Sequence, residues 1–151
     1  MKALIQRANK GRVLIDGKLN GEIGPGFVVF IGVRQGDTED DAKYLAEKTA
    51  ALRIFPDDND RMNRSIIEAN GSALVISQFT LHADTRKGNR PSFILAAPAE
   101  EARRLYEFYI SALKRILGED KVASGIFQAK MLVEIFNDGP VTIEIKSRSE
   151  P

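Results

Sequence analysis

The chain has 151 residues, with 22 Lys and Arg against 21 Asp and Glu, a single His, no Cys and no Trp. That length predicts one domain spanning residues 1–151. Without Cys there are no disulfides, thiolate zinc sites or Cys nucleophiles. One His rules out a His-rich metal site within the chain, and a net charge of +1 argues against a broad electrostatic grip on a nucleic-acid duplex.

In chain order, Ala3–Gln6 and Arg12–Ile15 are short β-type runs, and Asp16-Gly17 is a hairpin signal before a strand at Lys18–Ile23. Gly24-Pro25-Gly26 punctuates the chain, and the continuous apolar run Phe27–Val33 predicts a strand buried on both faces. Asp37 or Thr38 can cap a helix whose first turn holds Glu39, Asp40 and Asp41 and whose apolar face is Ala42, Leu45, Ala46, Thr49 and Leu52. The acidic run Asp57–Asp60 lacks the distal Glu of a calcium loop and reads as a solvated loop. Asn70-Gly71 is a turn before a strand at Ala73–Leu81. A second helix starts near Pro98, buries Ala102, Leu105, Tyr109, Ala112, Leu113 and Ile116, and stops at Gly118. Strands at Met131–Phe136 and Val141–Lys146 follow, with Asn137–Pro140 as the turn between them.

This layout predicts a mixed α/β domain with a large, mainly antiparallel sheet system and two covering helices. No segment approaches the ~20 apolar residues of a membrane helix, and Met1-Lys2 runs into the first strand without an apolar leader. The expectation is a soluble cytoplasmic protein with no membrane partner.

Two segments stand out chemically. Ser77-Gln78-Phe79-Thr80-Leu81 lies at the end of an apolar strand and opens into a loop carrying Arg86, Lys87 and Arg90. Strand alternation puts Gln78, Thr80 and His82 on one face, which makes a Thr80–His82 pair a weak candidate for nucleophile and base. The cationic loop suits phosphates, and equally reads as a solvated surface. The second segment is Asn137-Asp138-Gly139-Pro140-Val141-Thr142, where Gly before Pro leaves main chain open to a ligand. Nucleotide-binding glycine motifs and metal-ligand clusters are absent from the sequence, so no cofactor and no metal is expected.

Met1–Arg7, Gly21–Gly24, Arg53–Phe55, Ser77–Leu81, Arg90–Phe93 and Asn137–Thr142, in that order, make the whole chain resemble the D-aminoacyl-tRNA deacylases of the bacterial and eukaryotic type. The resemblance implies hydrolysis of the ester joining a D-amino acid, or glycine, to the 3′-terminal adenosine of tRNA, with L-aminoacyl-tRNA spared. It implies a compact α/β/β fold with barrel-like sheets, and a homodimer whose sites lie at the interface. The Gly139-Pro140 pair, cis in the family, would enter the other subunit's site and exclude an L side chain by contact with the α-carbon. Arg7 would hold that motif. Ser77, Gln78, Phe79 and Thr80 would line the ester and adenosine pocket, with Phe127 and Met131 as further substrate contacts.

Gln128 stands where the family pattern has a small residue, and His82 matches no required position. The scarcity of bases favours chemistry assisted by the substrate's terminal ribose 2′-OH, with main-chain N–H groups near Phe79 and Thr80 stabilising the oxyanion. Thr80 as a covalent nucleophile is the rival. A non-catalytic dimer that binds tRNA ends is the alternative of a different class.

Overall fold

The computed structural model describes residues 1–151. Strands β1 (Lys2–Ile15), β2 (Lys18–Ile23) and β3 (Gly26–Gly32) lead to helix α1 (Glu39–Ala51). A small hairpin, β4 (Phe55–Pro56) and β5 (Met62–Arg64), precedes β6 (Ser72–Ser77). Helix α2 (Ala99–Leu117), β7 (Val122–Ser124) and β8 (Met131–Lys146) complete the chain. The expected mixed α/β fold with two helices is present.

Strand β1 is the hub of the main sheet. It pairs antiparallel with β3 over Lys2–Ala8, with β2 over Gly11–Ile15, and with β8 along nearly its whole length. β6 continues the sheet parallel to β3, and β7 lies parallel to β6. β2 reaches over to β7, where Asn20 Nδ2 donates to Ser124 O at 3.0 Å, so the sheet is nearly closed into a barrel.

Alternation sorts the apolar side chains into two cores. Phe27, Val29 and Ile31 of β3 and Ala73 and Val75 of β6 face the helices with Leu45, Leu105, Tyr109 and Leu113. Val28, Leu74 and Ile76 point the other way, into the barrel, with Val13 and Ile23. The continuous run of β3 is thus buried on both faces, as its sequence predicts. Truncating Leu105 or Leu113, both fully buried, to Ala should cost about 2–5 kcal/mol.

Both helices begin and end close to where their sequences indicate. Thr38, not Asp37, caps α1, in a reciprocal capping box with Asp41. Pro98 and Gly118 flank α2, although Ile116 at the end of its stripe is 37% exposed. Tyr109 Oη joins the two helices by donating to Thr49 Oγ1 at 2.9 Å, and burial pushes the phenol pKa up.

Three local expectations are corrected. Ala3–Gln6 and Arg12–Ile15 are one strand, because the polar stretch between them still pairs with β3, β2 and β8. The strand expected over Ala73–Leu81 stops at Ser77, and Phe79–His82 form a 3-10 turn. Asn137–Pro140 is not a turn between two strands. The chain keeps its direction through β8, and Asn137 and Thr142 both pair with β1, opposite Ala8 and Gln6. Asp138–Val141 therefore bulge outward against the single residue Arg7.

Candidate active site

A cleft of about 520 Å³ opens where β3 and β6 end, which is within the size range of ligand pockets. Ser77, Gln78 and Phe79 form one wall, Phe127, Gln128 and Met131 another, and Ala102 and Tyr106 of α2 a third. Five of the nine sequence-assigned residues thus meet here. Thr80, exposed on the turn beside Phe79, is not among the lining residues.

The turn forms where β6 ends, one residue short of the end of β3. Gln78 N donates to Ile31 O at 2.8 Å, after which Leu81 N and Ala83 N close back on Gln78 O and Thr80 O at 3.3 and 3.0 Å. Gly32 makes the fit possible. A Cβ there would stand 3.0–3.1 Å from Leu81 Cβ, Gln78 O and His82 Cδ2.

As the first residues of a 3-10 turn, Phe79 and Thr80 have backbone N–H groups with no acceptor in the chain. Gln78 Nε2 donates to Thr80 Oγ1 at 2.5 Å. Phe79 is 55% exposed and meets Phe93 edge-on at 5.0 Å between ring centroids.

His82 is not the base of a Thr80–His82 pair. Side chains eclipse at three residues in a 3-10 turn, not at two. His82 is 3% exposed and turned toward Glu150, and its pKa is lowered, chiefly by burial.

The cleft lining includes no carboxylate, imidazole, amine or guanidinium. Its one titratable group is Tyr106, whose hydroxyl donates to Val75 O at 2.9 Å and whose pKa burial drives upward. Arg103 lies 5.2 Å over the Phe127 ring, and Tyr106 packs on the same ring at 5.9 Å. Tyr106 and Ala102 were not assigned to a site from sequence. Both are buried α2 residues, and nothing in a helical stripe separates a cleft wall from core. Gln128 lines the cleft at φ +66°, a left-handed conformation that costs a non-glycine residue roughly 1–2 kcal/mol.

Arg7, Gly139 and Pro140 lie elsewhere. Gly139 is opposite Arg7 at the level of Phe27, whereas Ser77 pairs with Ile31. Over the sheet surface that is four residues along and three strands across, roughly 13 Å by 14 Å.

The bulge is braced. Asn137 Nδ2 donates to Arg7 O at 3.1 Å and Val141 O at 3.0 Å, tying both feet together. Arg7 Nη1 donates to Ile54 O at 2.7 Å, and its Nε lies 3.3 Å from both the carbonyl and a carboxylate oxygen of Asp138. The Gly139–Pro140 bond is cis, and Gly139 has φ +122°. A Cβ on Gly139 would meet Val141 Cγ2 at 2.8 Å and Arg7 Nη2 at 3.1 Å, so glycine is required here. Gly139 and Pro140 are themselves exposed.

In the cationic loop, Arg86 is paired with Asp84 at 2.6 Å, while Lys87 and Arg90 have no carboxylate within 4 Å. Asp57 holds the β4–β5 loop, accepting from Asn59 N, Arg61 N and Asn63 Nδ2.

The family model for D-Tyr-tRNA(Tyr) deacylase matches residues 4–146. A D-aminoacyl-tRNA deacylase of Heliobacterium modesticaldum is 55% identical over 148 residues, covering 98% of this chain and 97% of that protein. Its counterpart in Carboxydothermus hydrogenoformans is 51% identical over 146 residues, covering 97% and 99%. Among solved structures, a c-Myc DNA unwinding element binding protein is 35% identical and superposes with a TM-score of 0.94, covering 99% of this chain and all of that one. A probable eukaryotic D-amino acid tRNA deacylase, 16% identical, shares the fold with a TM-score of 0.79 over 95% of this chain and 98% of that one. By sequence from end to end, and by fold, the chain belongs to the D-Tyr-tRNA(Tyr) deacylase family.

Proposed function

We propose that the cleft at the end of β3 and β6 is where this chain hydrolyses the ester of D-aminoacyl-tRNA, with the substrate supplying the hydroxyl that helps activate water. The observation that carries this reading is the composition of the cleft. Its lining offers apolar surface and lies beside two unpaired backbone N–H groups, and it contains no general base. Water adds to the ester carbonyl carbon with the terminal ribose 2′-OH assisting removal of its proton. The oxyanion is held by the N–H groups of Phe79 and Thr80. Collapse breaks the bond to the 3′-oxygen, which leaves with a proton, and a free D-amino acid and tRNA are released.

The exposed Phe79 ring offers a stacking face for the terminal adenine, the mode by which single-stranded ends are held. Lys87 and Arg90 supply a few phosphate contacts, in keeping with a net charge of only +1.

Selection against L substrates is assigned to Gly139 and Pro140. Because they do not line their own chain's cleft, the reading requires a homodimer in which the pair from the partner subunit closes each site. β8 supports this. It pairs only with β1, leaving a free edge, and Leu132 and Phe136 on it are 62% and 61% exposed. The rigid main chain facing the α-carbon leaves no space for an L side chain, whereas a D side chain or the hydrogen of glycine fits. Glycyl-tRNA is therefore a substrate as well. The reaction belongs in the cytoplasm, where aminoacyl-tRNA is made. No helix is long and apolar enough to cross a membrane.

Single-turnover deacylation by the purified chain, with D-Tyr-tRNA, Gly-tRNA and L-Tyr-tRNA, tests the reading. The first two should be cleared and the third left intact. Thr80→Ala should stay within about tenfold of the parent, and a loss of ~10⁴-fold would make Thr80 the nucleophile instead. Tight tRNA binding without hydrolysis would leave only a binding role.

A further inference from the structure

The α-amine of Met1 is fully buried, and its three N–H donors meet three acceptors. Asp37 Oδ1 lies at 2.7 Å, Ser147 Oγ at 2.9 Å and Glu150 Oε2 at 3.3 Å. Two of the three come from the C-terminal segment, which also closes over the residue through Ser147 N to Met1 O at 3.0 Å. Ser149 Oγ donates to Asp41, and Arg148 stacks 4.9 Å over Tyr44, so the segment is fastened to α1 on both sides.

The cluster continues into the active-site turn. Glu150 Oε1 lies 3.8 Å from Nδ1 of His82, the last residue of the turn that carries Phe79 and Thr80. Lys2 Nζ reaches Leu81 O at 3.5 Å.

Asp37, His82 and Glu150 together have the make-up of a cation site. The cation already among them is the ammonium of Met1, helped by Arg34, whose Nη1 is 3.5 Å from Glu150.

We infer that the free α-amine of an intact Met1 is a positioning group for this turn, acting through Glu150 and His82, and that the segment Ser147–Pro151 is the latch that recognises it. A formyl or acetyl group turns the ammonium into an amide with one donor and no charge. An extension moves the charge out of the pocket altogether. Either change leaves two buried carboxylates short of their counter-ion and removes the support beneath His82. Capping or extending the first residue would therefore loosen the turn. The consequence for catalysis rests on the reading of Phe79 and Thr80 as the oxyanion donors, whereas the consequence for the turn does not.

The test compares the unextended chain with one bearing Gly-Ser before Met1, and with a third carrying the same dipeptide after Pro151. The N-terminal extension should lower Tm by on the order of 10 °C. It should also speed hydrogen exchange at the Leu81 and Ala83 amides by roughly tenfold or more, ahead of the β3 and β6 amides. The rate of deacylation should fall with little change in KM, and the C-terminal extension should do none of this. Should the extended chain fail to fold, Glu150→Gln and truncation after Lys146 keep the amine and should give the same local exchange signature in graded form. An amine-acylating reagent should spare Met1 in the parent and label it in the truncated chain. Equal Tm, equal exchange and equal labelling would overturn the inference. Faster exchange with an unchanged rate would support the latch and remove the turn from the reaction.

Discussion

The turn at Ser77–Thr80 and the bulge at Asn137–Thr142 hold their main chains rigid in opposite ways. The turn sits over the end of β3, with its free N–H groups beside a cleft of its own chain. The bulge projects from an edge strand, exposed at its tip and held from behind by Arg7 and Asn137. One offers unpaired hydrogen-bond donors, the other a shape. A group that only excludes need not belong to the same chain as the group it protects, provided both are stiff. On the proposed reading, that difference is how two segments roughly three strands apart would serve one reaction.

The largest expected effect comes from spoiling the shape. Gly139→Val places a branched side chain where even a Cβ would press on Val141 and Arg7, at a φ that L residues rarely adopt. Turnover of D-Tyr-tRNA should fall by about 10²-fold or more. Mixing this variant with Phe79→Ala sharpens the comparison. If the bulge works in the partner's cleft, mixed dimers regain one intact site in two, and randomly mixed chains should recover about a quarter of the parent activity. No recovery would place turn and bulge in the same chain's site.

A smaller effect is expected from the brace. Arg7 spans the carbonyls of Ile54 and Asp138 with a planar fork, which the single ammonium of lysine cannot do. Arg7→Lys should reduce deacylation by about tenfold and weaken discrimination against L-Tyr-tRNA, with Tm within a few degrees of the parent. An unchanged D/L ratio would show that the bulge is stiff without it.

The two regions were also unequally legible. Of the cleft residues, Phe127 and Met131 come from the family resemblance, whereas Ser77, Gln78 and Phe79 could be named from sequence because their motif is local. Their geometry could not. Phe-Thr-Leu-His is good strand material, yet it folds into a turn packed closely on Gly32 with His82 buried, both long-range facts. Asn-Asp-Gly-Pro carries the chemistry of a hairpin. What keeps the chain running straight is Asn137 reaching across to Arg7 O, 130 residues away. β1 looked like two strands because Ala8-Asn9-Lys10-Gly11 has little strand character of its own. The surrounding β3, β2 and β8 impose it. Helix α2, punctuated locally by Pro98 and Gly118, was readable almost to the residue. The amine of Met1 has no letter of its own, so a reading confined to side chains passes over it.

The smallest predicted effect concerns the loop that leaves the turn. Asp84 accepts from the Arg86 guanidinium through both carboxylate oxygens and from Arg86 N, and these bonds hold its pKa at about 2. Its folded value thus lies below the ordinary carboxylate value of about 3.9. The pair's contribution is present above pH 4 and is lost as pH falls toward 2. The site is close to the surface, so the contribution is modest. The Tm of Asp84→Asn should sit slightly below that of the parent at neutral pH, and the gap should close between pH 4 and pH 2. No gap at any pH would assign the hold on the loop to the backbone bridge between Asp84 and Ser92, whose two hydrogen bonds of 2.8 and 2.9 Å do not titrate and survive the substitution. The base of the turn's loop would then be held by main chain, which is indifferent to pH.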